Sequence, residues 1–153
     1  MNLFAPSSPE DWLTARHLIE AYAQSLGVDL CFQNFDDEIE HLAEQYGPPT
    51  GAFLLAEVNG RVIGCVGLRR YDESSGEIKR LYVDPSGRGA GSGRELAKAI
   101  IERGRKLGYA RLVLDTLPSM TEARALYTSL GFVPITAYRH NPIAGTSFLA
   151  LNL

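Results

Sequence analysis

The stretch Gly87-Arg88-Gly89-Ala90-Gly91-Ser92-Gly93 places four glycines at alternate positions, between an apolar run and a segment of helical periodicity. Residues without a Cβ atom allow the backbone to turn sharply and to approach a bound group closely. The first amides of a following helix would direct unpaired N–H groups, and the positive end of the helix dipole, at an anion. The stretch therefore predicts a loop that binds phosphate or pyrophosphate at the start of a helix.

Spacing distinguishes the known kinds of glycine-rich phosphate loop. A Walker loop requires a lysine and then a serine or threonine after its last glycine, but Arg94 and Glu95 follow Gly93. The dinucleotide pattern G-x-G-x-x-G fails in every frame. The pattern R-x-x-G-x-G fits at Arg88, Gly91 and Gly93. The alternative interpretation is a surface turn that only starts a helix.

Length, composition and charge limit the classes of protein to consider. The chain has 153 residues and 45% hydrophobic content, so we expect one domain over residues 1–153. The formal net charge is −3, without a basic block, which disfavours nucleic acid as a partner. The N-terminus lacks a basic start with a following apolar run, and no stretch is apolar enough to cross a bilayer. We therefore expect a cytoplasmic protein that does not bind membranes.

Helical and strand periodicities alternate along the chain. Asn59-Gly60 predicts the turn of an antiparallel hairpin, because both residues tolerate positive φ. Ser8-Pro9-Glu10-Asp11 predicts the N-cap and acidic first turn of a helix that ends at Gly27. Ser119-Met120-Thr121-Glu122 predicts a capping box that opens another helix, with Gly131 at its end.

The remaining elements follow from the same patterns. An apolar stripe predicts a helix from Phe35 to Tyr46, and another helix extends from the glycine loop to Gly108. The predicted strands are Met1 to Phe4, Ala52 to Val58, Arg61 to Tyr71, Glu77 to Val83, Ala110 to Asp115, Phe132 to Tyr138 and Ser147 to Leu153. This order predicts an α/β fold with a mixed sheet and helices on both faces.

Two motifs and the order of elements resemble the GNAT superfamily of acyl-CoA-dependent N-acyltransferases. The motifs are the R-x-x-G-x-G loop and the Y-x-x-x-G-F signature, which begins at Tyr127. The resemblance covers nearly the whole chain and implies a mixed, mostly antiparallel sheet of about six to seven strands flanked by about four helices. It also implies an enzyme that moves an acetyl group from acetyl-CoA directly to a primary amine in a ternary complex, without a metal.

The resemblance assigns the coenzyme-binding residues. The pantetheine arm is expected to lie along the strand that ends at Val83, so a backbone N–H of Leu81, Tyr82 or Val83 would bind the oxyanion. Arg88 would position the phosphates. The backbone amides expected to hold the pyrophosphate belong to Gly89, Ala90, Gly91, Ser92 and Gly93. Arg94 would contact either phosphate or only solvent.

Tyr127 is the candidate general acid, because the resemblance implies a tyrosine near the coenzyme sulfur at this position. A phenol with a pKa of about 10 and a thiol with one of about 8.5 make this proton transfer uphill by roughly 2 kcal/mol in water. Desolvation of the thiolate would raise its pKa and close the gap. The alternative is that Tyr127 is only an inward-facing residue of an amphipathic helix.

Glu77 is the candidate general base. It lies eleven positions before Arg88, a spacing similar to that of the strand glutamate in the histone-type branch of the family. Partial burial would raise its pKa toward a useful value, and it would act directly or through a water. The alternative is an exposed strand-end carboxylate paired with Lys79 or Arg61.

The sequence leaves the acceptor open. Where relatives often carry an asparagine that contacts the coenzyme, seven positions before the tyrosine, this chain has Met120. Two explanations are open for a set of aromatic and acidic residues: they line a pocket for a cationic amine, or they belong to a solvated helix face. These residues are Tyr22, Asp29, Phe32, Phe35, Asp36, Asp37, Tyr71 and Tyr138. A small amine, an amino acid and a peptide amine all remain candidate acceptors. The resemblance also implies a homodimer.

Cysteines and histidines offer no site by their spacing. Cys31 and Cys65 are expected to be reduced structural thiols, with Cys65 as an acyl-carrying nucleophile the alternative. His17, His41 and His140 are dispersed, so no metal site is expected. Two other function classes stay open: a non-catalytic acyl-CoA sensor or assembly module, and a nucleotide-dependent enzyme.

Overall fold

Seven strands form one mixed sheet in the computed structural model, which describes residues 1–27, 29–30 and 34–153. The strands are β1 (Asn2–Phe4), β2 (Ala52–Val58), β3 (Arg61–Arg70), β4 (Ser75–Val83), β5 (Arg111–Thr116), β6 (Val133–Pro134) and β7 (Ser147–Asn152). Their order is β1-β2-β3-β4-β5-β7-β6, with β4 and β5 parallel and all other pairs antiparallel. The predicted mixed, mostly antiparallel sheet is confirmed.

Five α-helices flank the sheet in the described part of the chain. They are α1 (Pro9–Leu26), α2 (Phe35–Glu40), α3 (Leu42–Tyr46), α4 (Ser92–Lys106) and α5 (Thr121–Ser129). The predicted start of α1 is confirmed, since Ser8 Oγ accepts a hydrogen bond of 3.1 Å from the Asp11 amide. Its predicted end is also confirmed, because Gly27 has φ 66° and donates its amide to the Gln24 carbonyl. None of the described helices has the length and apolar content needed to cross a membrane.

Three predicted elements differ in the structure. The helix predicted from Phe35 to Tyr46 is divided at His41, whose φ of −130° and ψ of 37° interrupt the helical path. The capping box at Ser119 is wrong, because α5 begins at Thr121 with Met120 as its N-cap and without a side-chain cap. The strand predicted to reach Tyr138 ends at Pro134. Beyond that point the chain leaves the edge of the sheet, and the Tyr138 and Arg139 side chains reach Glu77 on β4.

The core has two parts, one on each face of the sheet. The larger part packs α4 and α5 against one face and includes the fully buried Leu96, Ile100 and Leu112. The other part packs α1, α2 and α3 against the opposite face and includes the buried Ile19 and Tyr46. Burial of such side chains stabilises the fold by about 2 kcal/mol each. Alternating residues of each central strand therefore contribute to different cores.

A bulge and a divergence of strands interrupt the centre of the sheet. The β4–β5 ladder pairs Ser75–Glu77 with residues 111–113, after which β5 continues in the ladder with β7 as far as Thr116. Arg80 on β4 has φ +63°, and the β3–β4 register shifts between Cys65 and Gly67. A bulge of this kind re-aims side chains and bends the strand. The backbone of β4 beyond the bulge therefore keeps its pairing with β3, while its pairing with β5 covers only Ser75–Glu77.

Candidate active site

The glycine loop has the backbone geometry that the sequence predicts. Gly89 and Gly91 have φ of +90° and +79°, a region that L side chains rarely adopt. Gly91 is the N-cap of α4, so the first backbone amides of that helix point out of its N-terminal end, toward this loop. A Cβ atom at either glycine would meet open space, which leaves room for a ligand beside the backbone.

An open cavity extends from this loop between β4 and α5. Its lining includes residues from β4, the loop, α5 and α1: Tyr22, Leu81, Tyr82, Val83, Arg88, Gly89, Gly91, Gly93, Met120, Ala123 and Leu126. A Cβ atom on Gly93 would lie 3.8 Å from Val83 and 3.9 Å from Leu126, so glycine keeps this part of the floor open. The structure therefore brings the predicted coenzyme strand and the predicted phosphate loop to the same cavity.

Ser92 provides an unsatisfied polar group at the start of α4. The residue is 3% exposed, and its Oγ is buried without a hydrogen-bond partner in the described residues. An unpaired buried hydroxyl is unfavourable by about 1–3 kcal/mol. The open cavity beside the loop is lined by Gly91 and Gly93, on either side of Ser92, while the Ser92 hydroxyl itself is buried.

Both arginines of the loop have protein partners. Arg88 donates from Nε to the Val83 carbonyl at 2.9 Å, and its guanidinium lies 5.9 Å from the centre of the Tyr82 ring. Arg94 donates from Nη2 to Ser129 Oγ at 2.8 Å and so links α4 to α5. Arg94 is exposed to solvent, and its predicted contact with phosphate stays a prediction.

Tyr127 lies at the inner end of the same region. It is 4% exposed, packs in the core beside Phe132 with ring centres 5.2 Å apart, and also lines a smaller inner cavity between β4 and β5. Burial raises its pKa above the ordinary phenol value. The phenol therefore stays protonated at neutral pH, and its desolvation widens the pKa gap between the phenol and a thiol.

Glu77 is buried within β4, not exposed at a strand end. It is 1% exposed, and its Oε1 accepts from Arg69 Nε at 3.2 Å and from Arg139 Nη2 at 2.9 Å. The Tyr138 hydroxyl donates to Oε2 at 2.7 Å. Burial alone would raise the pKa of Glu77, but the charges of Lys79, Arg139 and Arg69 and the Tyr138 hydrogen bond lower it below the ordinary value. The expected upward shift of the Glu77 pKa is wrong, and so is the alternative of an exposed carboxylate at a strand end.

The inner cavity contains charged residues from two strands and phenols from two helices. Lys79 of β4 and Asp115 of β5 line it together with Tyr22 of α1 and Tyr127 of α5. Lys79 is 5% exposed, and burial lowers its pKa to about 8 against the raising effect of Glu77. Asp115 is half-buried, and its Oδ2 accepts from Asn141 Nδ2 at 3.3 Å. Acidic and basic groups thus surround the point where β4 and β5 separate.

A buried ion pair holds the bulge of β4 against α2. Arg80 donates from Nε to Glu38 Oε2 at 2.8 Å and from Nη2 to Oε1 at 2.9 Å, and both side chains are almost fully buried. The Arg80 guanidinium also lies 5.4 Å from the Phe35 ring centre and 5.8 Å from that of Tyr22. This arrangement fixes the bulge between α1, α2 and the sheet.

The structure separates the aromatic and acidic residues that the sequence grouped as an acceptor pocket. Tyr22 lines both cavities, Phe35 packs on Arg80, and the Tyr71 hydroxyl donates to the Tyr138 carbonyl at 2.7 Å. Asp29, Asp36 and Asp37 are exposed, which agrees with the solvated-face interpretation. Phe32 lies outside the described residues.

Sequence reasoning missed the charged residues Glu38, Arg69, Lys79, Arg80, Asp115 and Arg139. A signal was present for three of them. Lys79 and Arg80 are consecutive charges between the apolar residues Ile78 and Leu81. Asp115 likewise follows directly on the apolar run of β5. Glu38 resembled its exposed neighbours in sequence, and only the packing of α2 shows that it is the buried one.

Cys65 is a buried free thiol whose Sγ donates to the Arg80 carbonyl at 3.4 Å. Burial raises its pKa, which opposes formation of the thiolate and argues against an acyl-carrying role. Cys31 lies outside the described residues. Within residues 1–27, 29–30 and 34–153, no group of three or more His, Cys, Asp or Glu side chains is placed to hold a metal ion.

Comparison with known proteins gives one consistent family. Residues 12–132 match the profile of the Acetyltransferase (GNAT) family. An uncharacterized N-acetyltransferase of Schizosaccharomyces pombe is 39% identical, over 100% of this chain and 95% of that protein. A GNAT-family acetyltransferase of Staphylococcus aureus superposes with a TM-score of 0.81 at 21% identity, covering 99% of this chain and 98% of its own. An Elizabethkingia anophelis GNAT acetyltransferase with acetyl-CoA bound gives 0.66 at 22% identity, over 99% and 97%.

Proposed function

The chain belongs to the GNAT acetyltransferase family, and from this premise we propose that it moves the acetyl group of acetyl-CoA directly to a primary amine while both substrates are bound. The enzyme is an N-acetyltransferase. The observation that carries the proposal is a cavity that connects the glycine loop, the β4 backbone and the helix of Tyr127. The acceptor is proposed to be a small-molecule or peptide amine.

The proposed binding of acetyl-CoA uses the loop and β4. Backbone amides from Gly89 to Gly93 would hold the pyrophosphate. Arg88, fixed on the Val83 carbonyl, would offer its remaining N–H groups to phosphate. Arg94, on Ser129, would offer its own remaining N–H groups. The pantetheine arm would pair with Leu81, Tyr82 and Val83 beyond the bulge, and an amide of this segment would bind the oxyanion.

Tyr127 is proposed as the general acid. Its raised pKa keeps the phenol protonated, so the proton is available when the thiolate leaves. The transfer becomes favourable only if the coenzyme sulfur is desolvated at least as strongly as the phenol. Burial of the inner cavity beneath α1 and α5 supports this condition.

The role of Glu77 as general base stays a prediction from the sequence, and the structure adds an unfavourable effect that the sequence did not show. The Oε1 atom of Glu77 already accepts from Arg69 and Arg139, and its Oε2 accepts from Tyr138, so a proton would bind at the second acceptor position of Oε2. Its lowered pKa makes such protonation less favourable than for an ordinary glutamate.

Calorimetric titration tests the proposed donor, with acetyl-CoA as ligand and with ATP and NAD as controls. We expect selective binding of acetyl-CoA that Gly91→Trp abolishes. Gly108→Trp is the matched control, because Gly108 has the same left-handed backbone with φ +88° and open space but lies at the other end of α4. Equal binding of the three ligands, or retained binding by Gly91→Trp, would refute the proposed site.

Transfer itself requires a second measurement. Release of the CoA thiol, together with mass detection of an acetylated product, would be followed across a panel of amines. Binding of acetyl-CoA without transfer to any amine and without thioester hydrolysis would indicate a non-catalytic module. Four further expectations stay predictions. Limited proteolysis would check the single domain over residues 1–153, and light scattering would check the homodimer. Fractionation would check the cytoplasmic location, and binding assays would check that metal, nucleic acid and membranes are not bound.

A further inference from the structure

The carboxylate of Asp115 accepts fewer hydrogen bonds than that of Glu77. Both Glu77 oxygens are occupied by arginine or tyrosine donors, and the residue is 1% exposed. Asp115 is half-buried, and the Asn141 amide on Oδ2 is its side-chain hydrogen bond within the described residues. Oδ1 of Asp115 can therefore accept a further donor without loss of a contact that holds the fold.

The position of Asp115 suits a group that meets the acceptor. Asp115 lies two residues beyond Val113, which pairs with Glu77, on the part of β5 that has separated from β4. It lines the inner cavity together with Tyr127 and Leu81, one from α5 and one from the proposed oxyanion segment. The Asp115 carboxylate, the proposed oxyanion segment and the Tyr127 phenol therefore meet at one cavity.

The titratable groups on which the charge of Asp115 acts come from three elements around this cavity. They are Tyr22 of α1, Lys79 of β4 and Tyr138 of the segment between β6 and β7. Burial raises the pKa of Tyr22 and Tyr138, and the negative charge of Asp115 adds to both increases. Burial lowers the pKa of Lys79, and Asp115 opposes that change. The charge of the carboxylate thus acts on groups on several sides of the cavity.

We propose that Asp115 is the catalytic carboxylate that binds the acceptor ammonium and receives its proton, while Glu77 is a positioning residue that holds Arg69, Tyr138 and Arg139. The inference rests on the proposed function. The acceptor nitrogen forms a bond to the acetyl carbon as the carbon–sulfur bond breaks, and the nitrogen loses two protons in all. One passes through Asp115 to solvent, and the other replaces the phenolic proton that Tyr127 gives to the sulfur.

Two amines of similar shape separate this role from a structural one. Ethylamine is protonated near neutral pH, whereas the electron-withdrawing fluorines of trifluoroethylamine leave it neutral, so only ethylamine needs a group to remove the first proton. CoA release would be measured with both amines for the wild type, Asp115→Asn, Asp115→Glu and Glu77→Gln. Calorimetry with acetyl-CoA and thermal unfolding would accompany each variant.

We expect Asp115→Asn to lower kcat/KM for ethylamine by about a hundredfold or more, the usual contribution of a general base, and that for trifluoroethylamine by less than about tenfold. Asp115→Glu should restore part of the ethylamine rate. Affinity of the Asp115→Asn variant for acetyl-CoA should stay within about twofold, because the introduced amide keeps the volume of the side chain and an acceptor for Asn141. Glu77→Gln should lower both rates by a similar factor.

Equal losses with the two amines for Asp115→Asn would overturn the assignment, as would a loss selective for ethylamine in Glu77→Gln. A wild-type protein that binds acetyl-CoA but transfers to neither amine, and to no amine of the wider panel, would overturn the proposed function and this assignment with it. Selective loss in Asp115→Asn with transfer intact in the wild type supports both.

Discussion

Replacement of Glu38 by glutamine tests how the fold holds the β4 bulge. Glu38 and Arg80 have side chains that are 1% and 2% exposed, and they form two hydrogen bonds of 2.8 and 2.9 Å. Removal of one partner leaves a buried guanidinium without a counter-ion, which destabilises a protein by about 3–5 kcal/mol. For a domain of this length, each kcal/mol lowers the Tm by about 2–4 °C. We therefore expect Glu38→Gln to lower Tm by roughly 6–20 °C.

A double-mutant cycle separates the pair from its surroundings. Arg80→Met alone leaves Glu38 buried, with Arg69 Nη1 at 3.6 Å as a remaining cation. The double variant leaves neither charge, so its loss should fall short of the sum of the single losses by about 2 kcal/mol. Glu20→Gln is the matched control, because the Arg16–Glu20 pair is 40% and 43% exposed and should contribute less than about 1 kcal/mol.

The pH dependence of the same difference gives an independent check. Burial alone would raise the pKa of Glu38, but the hydrogen bonds and charge of Arg80 outweigh burial and lower it. A carboxyl with a lowered folded-state pKa stabilises the fold above its unfolded-state pKa, and that stabilisation is lost as pH falls through the folded-state value. The difference in unfolding free energy between wild type and Glu38→Gln, from urea denaturation, should therefore shrink on acidification below about pH 4.

The result that would refute this reasoning is a loss of less than about 1 kcal/mol for Glu38→Gln at neutral pH. Strict additivity of the cycle would refute it equally, since the two side chains are in direct contact. A difference that grew on acidification would show that the carboxyl pKa is raised in the folded state, so that burial outweighs Arg80.

Three further predictions concern the catalytic cavity. Tyr127→Phe should keep the core packing and the affinity for acetyl-CoA, and should lower kcat by about a hundredfold. A kcat within a factor of about two of the wild-type value, measured by CoA release, would exclude the phenol as the general acid. Gly93→Leu should fill the gap between Val83 and Leu126 and raise the Kd for acetyl-CoA at least about tenfold. The Tm should be unchanged or higher, because leucine favours a helix over glycine by about 1 kcal/mol. A lowered Tm with an unchanged Kd would contradict the geometry of this gap. The pKa of Lys79 is lowered to about 8 in the folded protein, so between about pH 8 and 10 the unfolded chain binds more protons than the folded protein does. The free energy of unfolding of the wild type should therefore rise across that range by up to about 3 kcal/mol relative to that of Lys79→Met. If urea unfolding gives parallel pH profiles for the two proteins, the shift is refuted.

Local patterns in the sequence determined most of the fold. Hydrophobic alternation and the Asn59-Gly60 turn predict the β2–β3 hairpin within one residue of its observed bounds, because both signals act between neighbours along the chain. The glycine spacing and its resemblance to a known loop predict the start of α4, and Gly89 and Gly91 have the positive φ that such a loop requires. The family comparison confirms the resemblance that these residues carried.

The tertiary structure alone decided the electrostatics of the site. In sequence, Glu77 and Asp115 are each single carboxylates on strands, 38 positions apart. Packing places Glu77 among Arg69, Tyr138 and Arg139, which are distant in the chain, and leaves Asp115 facing a cavity with one amide partner among the described residues. The same holds for Glu38, which differs from Asp36 and Asp37 only in the side of α2 that meets Arg80. A pKa depends on burial and on charges within a few ångströms, so these roles follow from long-range packing that local sequence patterns do not encode.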